Sequence, residues 1–327
     1  MRTMSYLDAI VEAQREEMAR DDRVFLMGLD VTWGITGTTV NANGSLVDQF
    51  GPERVRDAPI SENSYLGAGA GAAMVGMRPI VEIEIAPFIY VAMDQLTSII
   101  SKSTYLYGGQ ASLPITIRMP MMYAVGNAAQ HSDRPISTLA TLPGLKLVAP
   151  STPLDLYGLL KTAIRTDDPV VVFEDFSRAG TSSEVPDDTD FTIPLGVGEV
   201  KREGTDCTLV TVSGALGPAL TAAETLAADG IEVEIVDPRS IFPLDLDLIM
   251  GSVEKTGRLV IADPCHDFGS IASHISALVA EDGFWHLQAP IRRVVTPHTH
   301  IPYNATLERS LYPTAERIVS AVRDVVE

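Results

Sequence analysis

The sequence is poor in cysteine and in basic residues. Only Cys207 and Cys265 occur among 327 residues, and their surroundings show neither a zinc-site spacing nor a disulfide framework. This scarcity predicts a reducing, cytoplasmic setting. Lysine and arginine number 24 against 43 aspartates and glutamates, which gives a net charge of −19. Such an acidic balance argues against a nucleic-acid-binding protein, which needs a basic face.

Long apolar runs and two familiar phosphate signatures are also missing. No stretch approaches the roughly 18 uncharged apolar residues of a membrane span, so no membrane association is expected. The first 22 residues carry many acids and lack the apolar centre of a signal peptide. The phosphate loop "G-x-x-x-x-G-K-[ST]" does not occur. Neither does "GDG" followed at a distance by asparagine, which would hold Mg²⁺ and a diphosphate in a thiamine enzyme.

What the chain does contain is a regular alternation of apolar strands and amphipathic helices. Hydrophobic residues make up 46% and charged residues 20%, which is typical of a globular chain with a large core. The alternation predicts an α/β fold of two domains, each a mostly parallel sheet flanked by helices. The acidic, proline-containing stretch 181–194 is predicted to be a linker between domains 1–180 and 195–327.

The stretch 57–79, "DAPISENSYLGAGAGAAMVGMRP", allows three interpretations. Gly67, Gly69 and Ala72 fit a variant of the dinucleotide-binding fingerprint, but that motif needs a buried strand before it, and "ERVRDAP" is charged and proline-broken. A helix capped by Ser61, with small residues that let another backbone approach, is favoured. Glu62 then lies at the helix start, as a solvated first-turn acid or as a carboxylate that takes part in chemistry.

His131 is the only histidine before residue 266. It follows a predicted strand that ends near Met119, and ligands of open parallel sheets bind beyond the carboxyl ends of the strands. A loop histidine in that position is either exposed and inert or a proton-transfer group. His298 and His300, with no third ligand nearby, are not expected to bind a metal.

Taken together, the motifs resemble one enzyme family over nearly the whole chain and in order. They are "GPERVRDAPISENSYLGAGAGAAMVGMRPIVEI", "MDQL", "YGGQ", "LPITIRMP", "AAQHS", "PGLKLVAPSTPLDLYGLLKTAIRTDDPVVVFE", "DPRSIFPLDLDLIMGSVEKTGRLVI" and "APIRRV". The chain is similar to the β subunit of the thiamine-diphosphate-dependent first component of 2-oxo acid dehydrogenase complexes. "AAQHS" and "TPHTHIPY" look most like its acetoin dehydrogenase branch.

The resemblance implies an α₂β₂ enzyme with the cofactor at the α–β interface. Its fold would be a transketolase-like pyrimidine domain followed by a transketolase C-terminal-like domain. Glu62 matches the acid that meets the aminopyrimidine ring, Phe88 the aromatic residue that stacks on it, and Ile60 an apolar residue that touches it. His131 matches a histidine that faces the reacting centre and assists proton or acyl transfer to lipoyl. The glycine run would let its helix pack closely at the subunit contact.

The same resemblance implies the remaining partners. The α subunit would supply Mg²⁺ and the diphosphate site, and the acyl group of a small 2-oxo acid or acetoin would pass to a lipoyl acyltransferase core. A family segment that wraps a potassium ion with mostly backbone carbonyls matches the turn "AIRTDD", and an ordinary, hydrated helix end is the alternative there. The predicted potassium ligands are Ile115, Thr116, Ala163, Ile164, Thr166 and Asp168.

Two departures from the family pattern keep other functions open. Leu29 stands where the family has an acid thought to join a polar tunnel between active sites, and "ADPCHDFGS" at 262–270 replaces a glycine-containing acidic segment. One alternative is a split transketolase or acyloin-forming thiamine enzyme that does not use lipoate. Another is a non-catalytic scaffold subunit, against which the intact Glu62, Phe88 and His131 argue.

Overall fold

A computed structural model of the chain describes residues 1–34, 37–123 and 126–327. The chain forms two compact units. Unit 1 consists of Met1–Met122 and Thr138–Leu195, and unit 2 of Tyr123–Ser137 and Gly196–Glu327. The segment Tyr123–Ser137, which the sequence analysis placed in domain 1–180, therefore belongs by its contacts to unit 2.

The strands are numbered in chain order. They are β1 (Arg2–Ser5), β2 (Val24–Leu29), β3 (Val40–Asn41), β4 (Gly44–Ser45), β5 (Val55–Ala58), β6 (Arg78–Glu82), β7 (Thr116–Met121), β8 (Lys146–Val148), β9 (Val170–Asp175), β10 (Ser182–Val185), β11 (Glu199–Arg202), β12 (Cys207–Thr211), β13 (Val233–Asp237), β14 (Ser240–Phe242), β15 (Leu259–His266) and β16 (Arg292–Thr296).

The α-helices follow the same order. They are α1 (Tyr6–Arg20), α2 (Leu46–Phe50), α3 (Glu62–Met74), α4 (Ser103–Leu106), α5 (Ala128–Ser132), α6 (Ile136–Ala140), α7 (Pro153–Arg165), α8 (Leu216–Ala228), α9 (Leu246–Thr256), α10 (Ile271–Asp282), α11 (Ala305–Leu311) and α12 (Ala315–Val326). Four 3₁₀ helices span Ala86–Ala92, Phe176–Arg178, Ser213–Ala215 and Phe284–His286, and a π-helix spans Gln95–Ile100.

Unit 1 is built on a parallel sheet in the order β8-β9-β7-β6-β2-β5. β6, β7 and β9 are buried along their whole length, as parallel strands covered on both faces must be. Helices α1 and α7 pack together, and their apolar side chains share a core with β2 and β9. Local sequence starts both helices, because Ser5 accepts a hydrogen bond from the backbone N–H of Asp8 and Thr152 one from Asp155, each at 3.1 Å.

The segment that the sequence analysis judged a poor buried strand is a strand. β5 pairs in parallel with β2 at the edge of the sheet. Only Val55 of β5 is buried, while Arg56 and Asp57 are exposed. An edge position explains why this strand tolerates charge, since half of it faces water.

The predicted linker 181–194 is packed against unit 1. Its first part is β10, which pairs antiparallel with β1. Farther along, Ile193 is buried beside Gly158 of α7, and the ring of Phe191 stacks on Tyr157 with centroids 6.2 Å apart. Because two apolar side chains in this stretch reach the core, acidic composition alone was a poor guide to its exposure.

Irregular helices connect β6 to α4. β6 ends at Glu82, and the 3₁₀ helix Ala86–Ala92 follows it with a proline in its first turn. The π-helix Gln95–Ile100 comes next and leads to α4. A single-turn π-helix of this kind often marks a functional site.

Unit 2 is a second α/β unit. Its sheet has the order β11-β13-β12-β15-β16, in which only β11 runs antiparallel. Helices α8 and α12 cover one face with a continuous apolar cluster. The predicted fold class is therefore confirmed for both units. Within the described ranges, no helix combines the length and the apolar character that crossing a membrane requires.

Candidate functional site

Glu62 opens α3, directly beyond the carboxyl end of the edge strand β5. Its side chain is buried, with 5% of the residue exposed, so the solvated-acid interpretation is wrong for this chain. Ser61 occupies the cap position, but its side chain makes no capping hydrogen bond. The first turn of α3 therefore presents its backbone N–H groups and the Glu62 carboxylate at the edge of the sheet where ligands of such folds bind.

The glycine run lies inside α3, which excludes the phosphate-loop interpretation. Fingerprint glycines belong in the turn between strand and helix, whereas Gly67, Gly69 and Ala72 are five or more residues into the helix. Gly69 lies against Val81 of β6, and Gly67 lies against the side chain of Gln95. The small residues thus let α3 approach the sheet and the π-helix closely.

Of the two predicted ring-contacting residues, one lies on a helix that packs against α3 and the other just before α3. Phe88 is half-buried in the 3₁₀ helix that packs against α3. Ile60 precedes α3 by two positions and is 81% exposed. An apolar side chain this open beside a buried acid is suited to being covered by a bound group or by another subunit.

A buried ion cluster lies at the end of β6 and was not anticipated from the sequence. The guanidinium of Arg118 on β7 donates to both carboxylate oxygens of Glu174 on β9, at 2.6 and 2.8 Å, and also to Glu82. The Thr38 hydroxyl donates to Glu82 at 3.0 Å, and Gln14 of α1 accepts from Arg118 at 3.0 Å. Because every member is buried, this network fixes the strand ends beneath the site.

Further carboxylates surround the start of α3. Burial raises the pKa of Glu84, and the nearby charges of Asp30, Glu82 and Glu62 raise it further. Asp30 directly follows Leu29 and adopts a left-handed φ of 54°, which is rare for a residue with a side chain. Glu84 is therefore close enough to three other carboxyl groups to be influenced by their charge.

Two polar atoms in the first turns of α3 are enclosed and have no hydrogen-bond partner among the described residues. They are the amide oxygen of Asn63 and the hydroxyl of Tyr65. Enclosed polar groups of native proteins nearly always have a partner. These two atoms next to Glu62 in the sequence are therefore candidates for a hydrogen bond to a ligand or to a partner subunit.

His131 lies in α5 and belongs to unit 2, whereas Glu62, Ile60 and Phe88 belong to unit 1. The imidazole is half-buried. α5 begins at Ala128 with φ at +57°, a left-handed conformation that costs an alanine about 1–2 kcal/mol. Strain of this kind concentrates at functional sites. Ala124 and Val125 lie outside the described residues, as do Ile35 and Thr36.

Unit 2 also contains a cavity that sequence reasoning missed. It measures about 450 Å³ and is lined by Asp133, His266, Phe268, His298, Thr299 and His300. One ring nitrogen of His266 is 2.9 Å from the carbonyl oxygen of Thr299. His298 and His300, to which the sequence analysis gave no role, both line this cavity.

Three of the six predicted potassium ligands already bind basic side chains of the protein. Arg78 donates from Nε to the Ile164 carbonyl at 2.8 Å and from Nη2 to the Thr166 carbonyl at 2.7 Å. The carboxylate of Asp168 pairs with Lys146 at 2.7 Å. The backbone oxygens of Ile115 and Ala163 accept backbone N–H groups, and Thr116 is paired along β7.

Two protein-family models match the chain. The transketolase pyrimidine-binding domain matches residues 2–179, and the transketolase C-terminal domain matches residues 196–318. A solved structure described as a split-gene transketolase, inactive β4 tetramer, has a TM-score of 0.79 and covers 99% of this chain and 98% of its own. At 23% identity, that likeness supports the fold alone.

Relatives that match over their full length identify the family more closely than the domain models do. The chain is 43% identical to the β subunit of acetoin:2,6-dichlorophenolindophenol oxidoreductase of Bacillus subtilis, covering 99% of this chain and 98% of the relative. It is 42% identical to the 2-oxoisovalerate dehydrogenase β subunit and 37% identical to the pyruvate dehydrogenase E1 β subunit of the same organism, each with 100% coverage of both chains. The chain thus belongs to the transketolase-like family of β subunits of thiamine-diphosphate-dependent 2-oxo acid and acetoin dehydrogenases, oxidoreductases that work with an α subunit within a multienzyme complex.

Proposed function

We propose that this chain, paired with its α subunit in an α₂β₂ enzyme, cleaves the carbon–carbon bond next to a carbonyl in a small 2-oxo acid or in acetoin. The acyl group would then pass to lipoyl on an acyltransferase core. The observation that carries the proposal is the buried Glu62 at the first turn of α3, beyond the carboxyl end of β5.

Thiamine diphosphate would supply a thiazolium carbon that becomes a nucleophile after losing its proton. Glu62 would hydrogen-bond the distal nitrogen of the pyrimidine ring and so favour the imino form of that ring. Phe88 would stack on the ring, and Ile60 would touch it with an apolar side chain. The enclosed amide oxygen of Asn63 supports the binding of a ligand beside Glu62, because a bound ring can offer this oxygen a hydrogen-bond donor.

His131 would act at the reacting centre. An imidazole can deliver or accept a proton near neutral pH. We assign it to the transfer of the acyl group to lipoyl, in which the opening of the dithiolane requires a proton. The strained backbone at Ala128, where α5 begins, supports a functional role for the helix that carries His131.

The α subunit would complete the cofactor site by supplying Mg²⁺ and the diphosphate-binding residues. The absence of such a signature from this sequence supports that division of labour. Unit 1 also exposes several large apolar side chains, as expected for a chain that works within an assembly. They are Ile60, Val75, Val91, Tyr105, Leu106 and Tyr107. The cytoplasmic location stays a prediction.

The alternatives draw less support. A split transketolase shares the fold at 23% identity, whereas dehydrogenase β subunits share about 40% over the full length. A non-catalytic scaffold would not need a buried acid beside enclosed polar atoms, since both features cost folding free energy.

The test is to co-express the chain with the α-type subunit encoded beside it and to assay the purified complex. The substrates are pyruvate, branched 2-oxo acids and acetoin, with dichlorophenolindophenol as electron acceptor. We expect thiamine-diphosphate-dependent reduction of the dye with at least one of them. A stable complex that reduces no dye but joins two carbonyl compounds would overturn the proposal in favour of an acyloin-forming enzyme.

A further inference from the structure

Tyr65 has a buried hydroxyl that makes no hydrogen bond to the described residues. The residue is only 4% exposed, and it belongs to the same first turns of α3 as Glu62. An enclosed hydroxyl without a partner destabilises the fold, whereas phenylalanine would fill the same space without that cost. The hydroxyl is therefore better explained by a partner that it gains when the enzyme is assembled than by the folding of the isolated chain.

The position of Tyr65 indicates which group that partner is. Glu62 and Tyr65 are three residues apart on a helix, so their side chains lie on one face. Burial raises the pKa of the Tyr65 hydroxyl, and the charges of Glu62, Glu82 and Glu84 raise it further. The phenol is thus a neutral hydrogen-bond donor surrounded by carboxylates.

The other charged groups near α3 are engaged elsewhere or repel. Glu82 accepts from Arg118 and Thr38, and Arg78, at the far end of β6, donates to the carbonyls of Ile164 and Thr166. Glu84 and Asp30 are acids and cannot offer Glu62 a donor while they are ionised. The Tyr65 hydroxyl, three residues farther along α3, is a donor that can stabilise a negative charge on Glu62.

We propose that Tyr65 is a positioning residue for Glu62, donating a hydrogen bond to one carboxylate oxygen when the α subunit closes the site. The second carboxylate oxygen then remains for the ring that Glu62 binds. A hydrogen bond to the ionised form favours that form and offsets the repulsion from neighbouring acids. Donor–acceptor pairs of active sites commonly tighten only in the loaded complex. The proposal rests on the function assigned to Glu62 above.

The test compares Tyr65→Phe with a matched control, Tyr6→Phe. Tyr6 is also fully buried in unit 1, but its hydroxyl donates to the Pro150 carbonyl at 3.1 Å and accepts from the Asp175 N–H at 3.2 Å. In the isolated full-length chain, Tyr65→Phe should leave Tm unchanged or raise it, whereas Tyr6→Phe should lower it. A loss of Tm for Tyr65→Phe equal to that for Tyr6→Phe would overturn the proposal, because the hydroxyl would then be satisfied within the chain.

The second measurement is the pH dependence of kcat/KM for the assembled enzyme. Because Tyr65→Phe removes a donor to the carboxylate, the acidic limb should move upward by about one pH unit in that variant and stay in place in Tyr6→Phe. Turnover above that limb should stay within about threefold of the wild type. A profile of Tyr65→Phe that superimposes on the wild type would also overturn the proposal. Should the wild-type complex lack thiamine-diphosphate-dependent turnover, the assigned function fails, and the Tm comparison still decides whether the hydroxyl is satisfied within the chain.

Discussion

Gly69 of α3 lies so close to Val81 of β6 that a β-carbon at position 69 would stand 2.6 Å from Val81 Cγ2. Neither side can move easily, because Val81 is buried within the parallel sheet and its β-branched side chain is stiff. Glycine at this position sets the distance between the sheet and the helix that begins with Glu62. The position of Glu62 thus depends on the absence of a β-carbon at residue 69, seven residues farther along α3.

We expect Gly69→Ala to destabilise the chain by about 1–3 kcal/mol, since overpacking forces side chains or backbone to shift. The matched control is Gly71→Ala, because a β-carbon at Gly71 would meet nothing within 4 Å. In the isolated chain that control should be neutral or stabilising by up to about 1 kcal/mol, from helix propensity alone. Urea unfolding of both variants measures the difference, and equal stabilities would contradict the close-approach explanation.

Glu62→Gln should preserve assembly and fold but remove most activity. Glutamine keeps the size and hydrogen-bonding capacity of the side chain and loses the charge that favours the imino form of the ring. A loss of about 10²-fold or more in kcat/KM is expected for a positioned acid–base group. Glu53→Gln is the control, because Glu53 is an exposed acid just before β5. Near-normal turnover of assembled Glu62→Gln would remove Glu62 from the catalytic residues.

The isolated chain should bind thiamine diphosphate weakly. The diphosphate signature is missing from the sequence, so the ring-binding residues have no anchor for the charged end of the cofactor. Calorimetry on the chain with Mg²⁺ should give a Kd no tighter than about the millimolar range, which corresponds to a binding free energy of about −4 kcal/mol. Micromolar binding without the α subunit would refute the shared cofactor site.

His131→Ala should separate the two halves of the reaction. We expect it to lose reductive acylation of a lipoyl domain while keeping appreciable turnover with dichlorophenolindophenol, because only the first needs a proton for the opening dithiolane. His274→Ala, on the surface of α10 in unit 2, is the control. Parallel losses in both assays would place His131 at the carbon–carbon bond step instead.

The potassium site stays a prediction, and the contacts of Arg78 argue against it. Its guanidinium already supplies a positive charge to the Ile164 and Thr166 carbonyls. A second cation beside it would meet like-charge repulsion. We therefore expect equal Tm values in potassium chloride and in choline chloride at the same ionic strength. A saturable increase specific to potassium would show that the ion binds in addition to Arg78.

Local sequence was sufficient for several features of this protein. The alternation of apolar strands and helices predicted the α/β class, because periodicity reports which face of an element is buried. The small residues after Ser61 predicted α3 and placed Glu62 in its first turn. Carboxyl ends of parallel strands lie along one edge, so Phe88 and His131 could also be placed at strand ends without coordinates.

Only the tertiary structure decided what surrounds those residues. Three features depend on residues from different elements. They are the burial of Glu62, the ion cluster of Arg118 with Glu82 and Glu174, and the enclosure of the Tyr65 hydroxyl. β5 became a strand because β2 offered it an edge, although its own composition argued against one. Pairing and enclosure depend on distant segments, and no local pattern of charge or hydrophobicity records which segments meet.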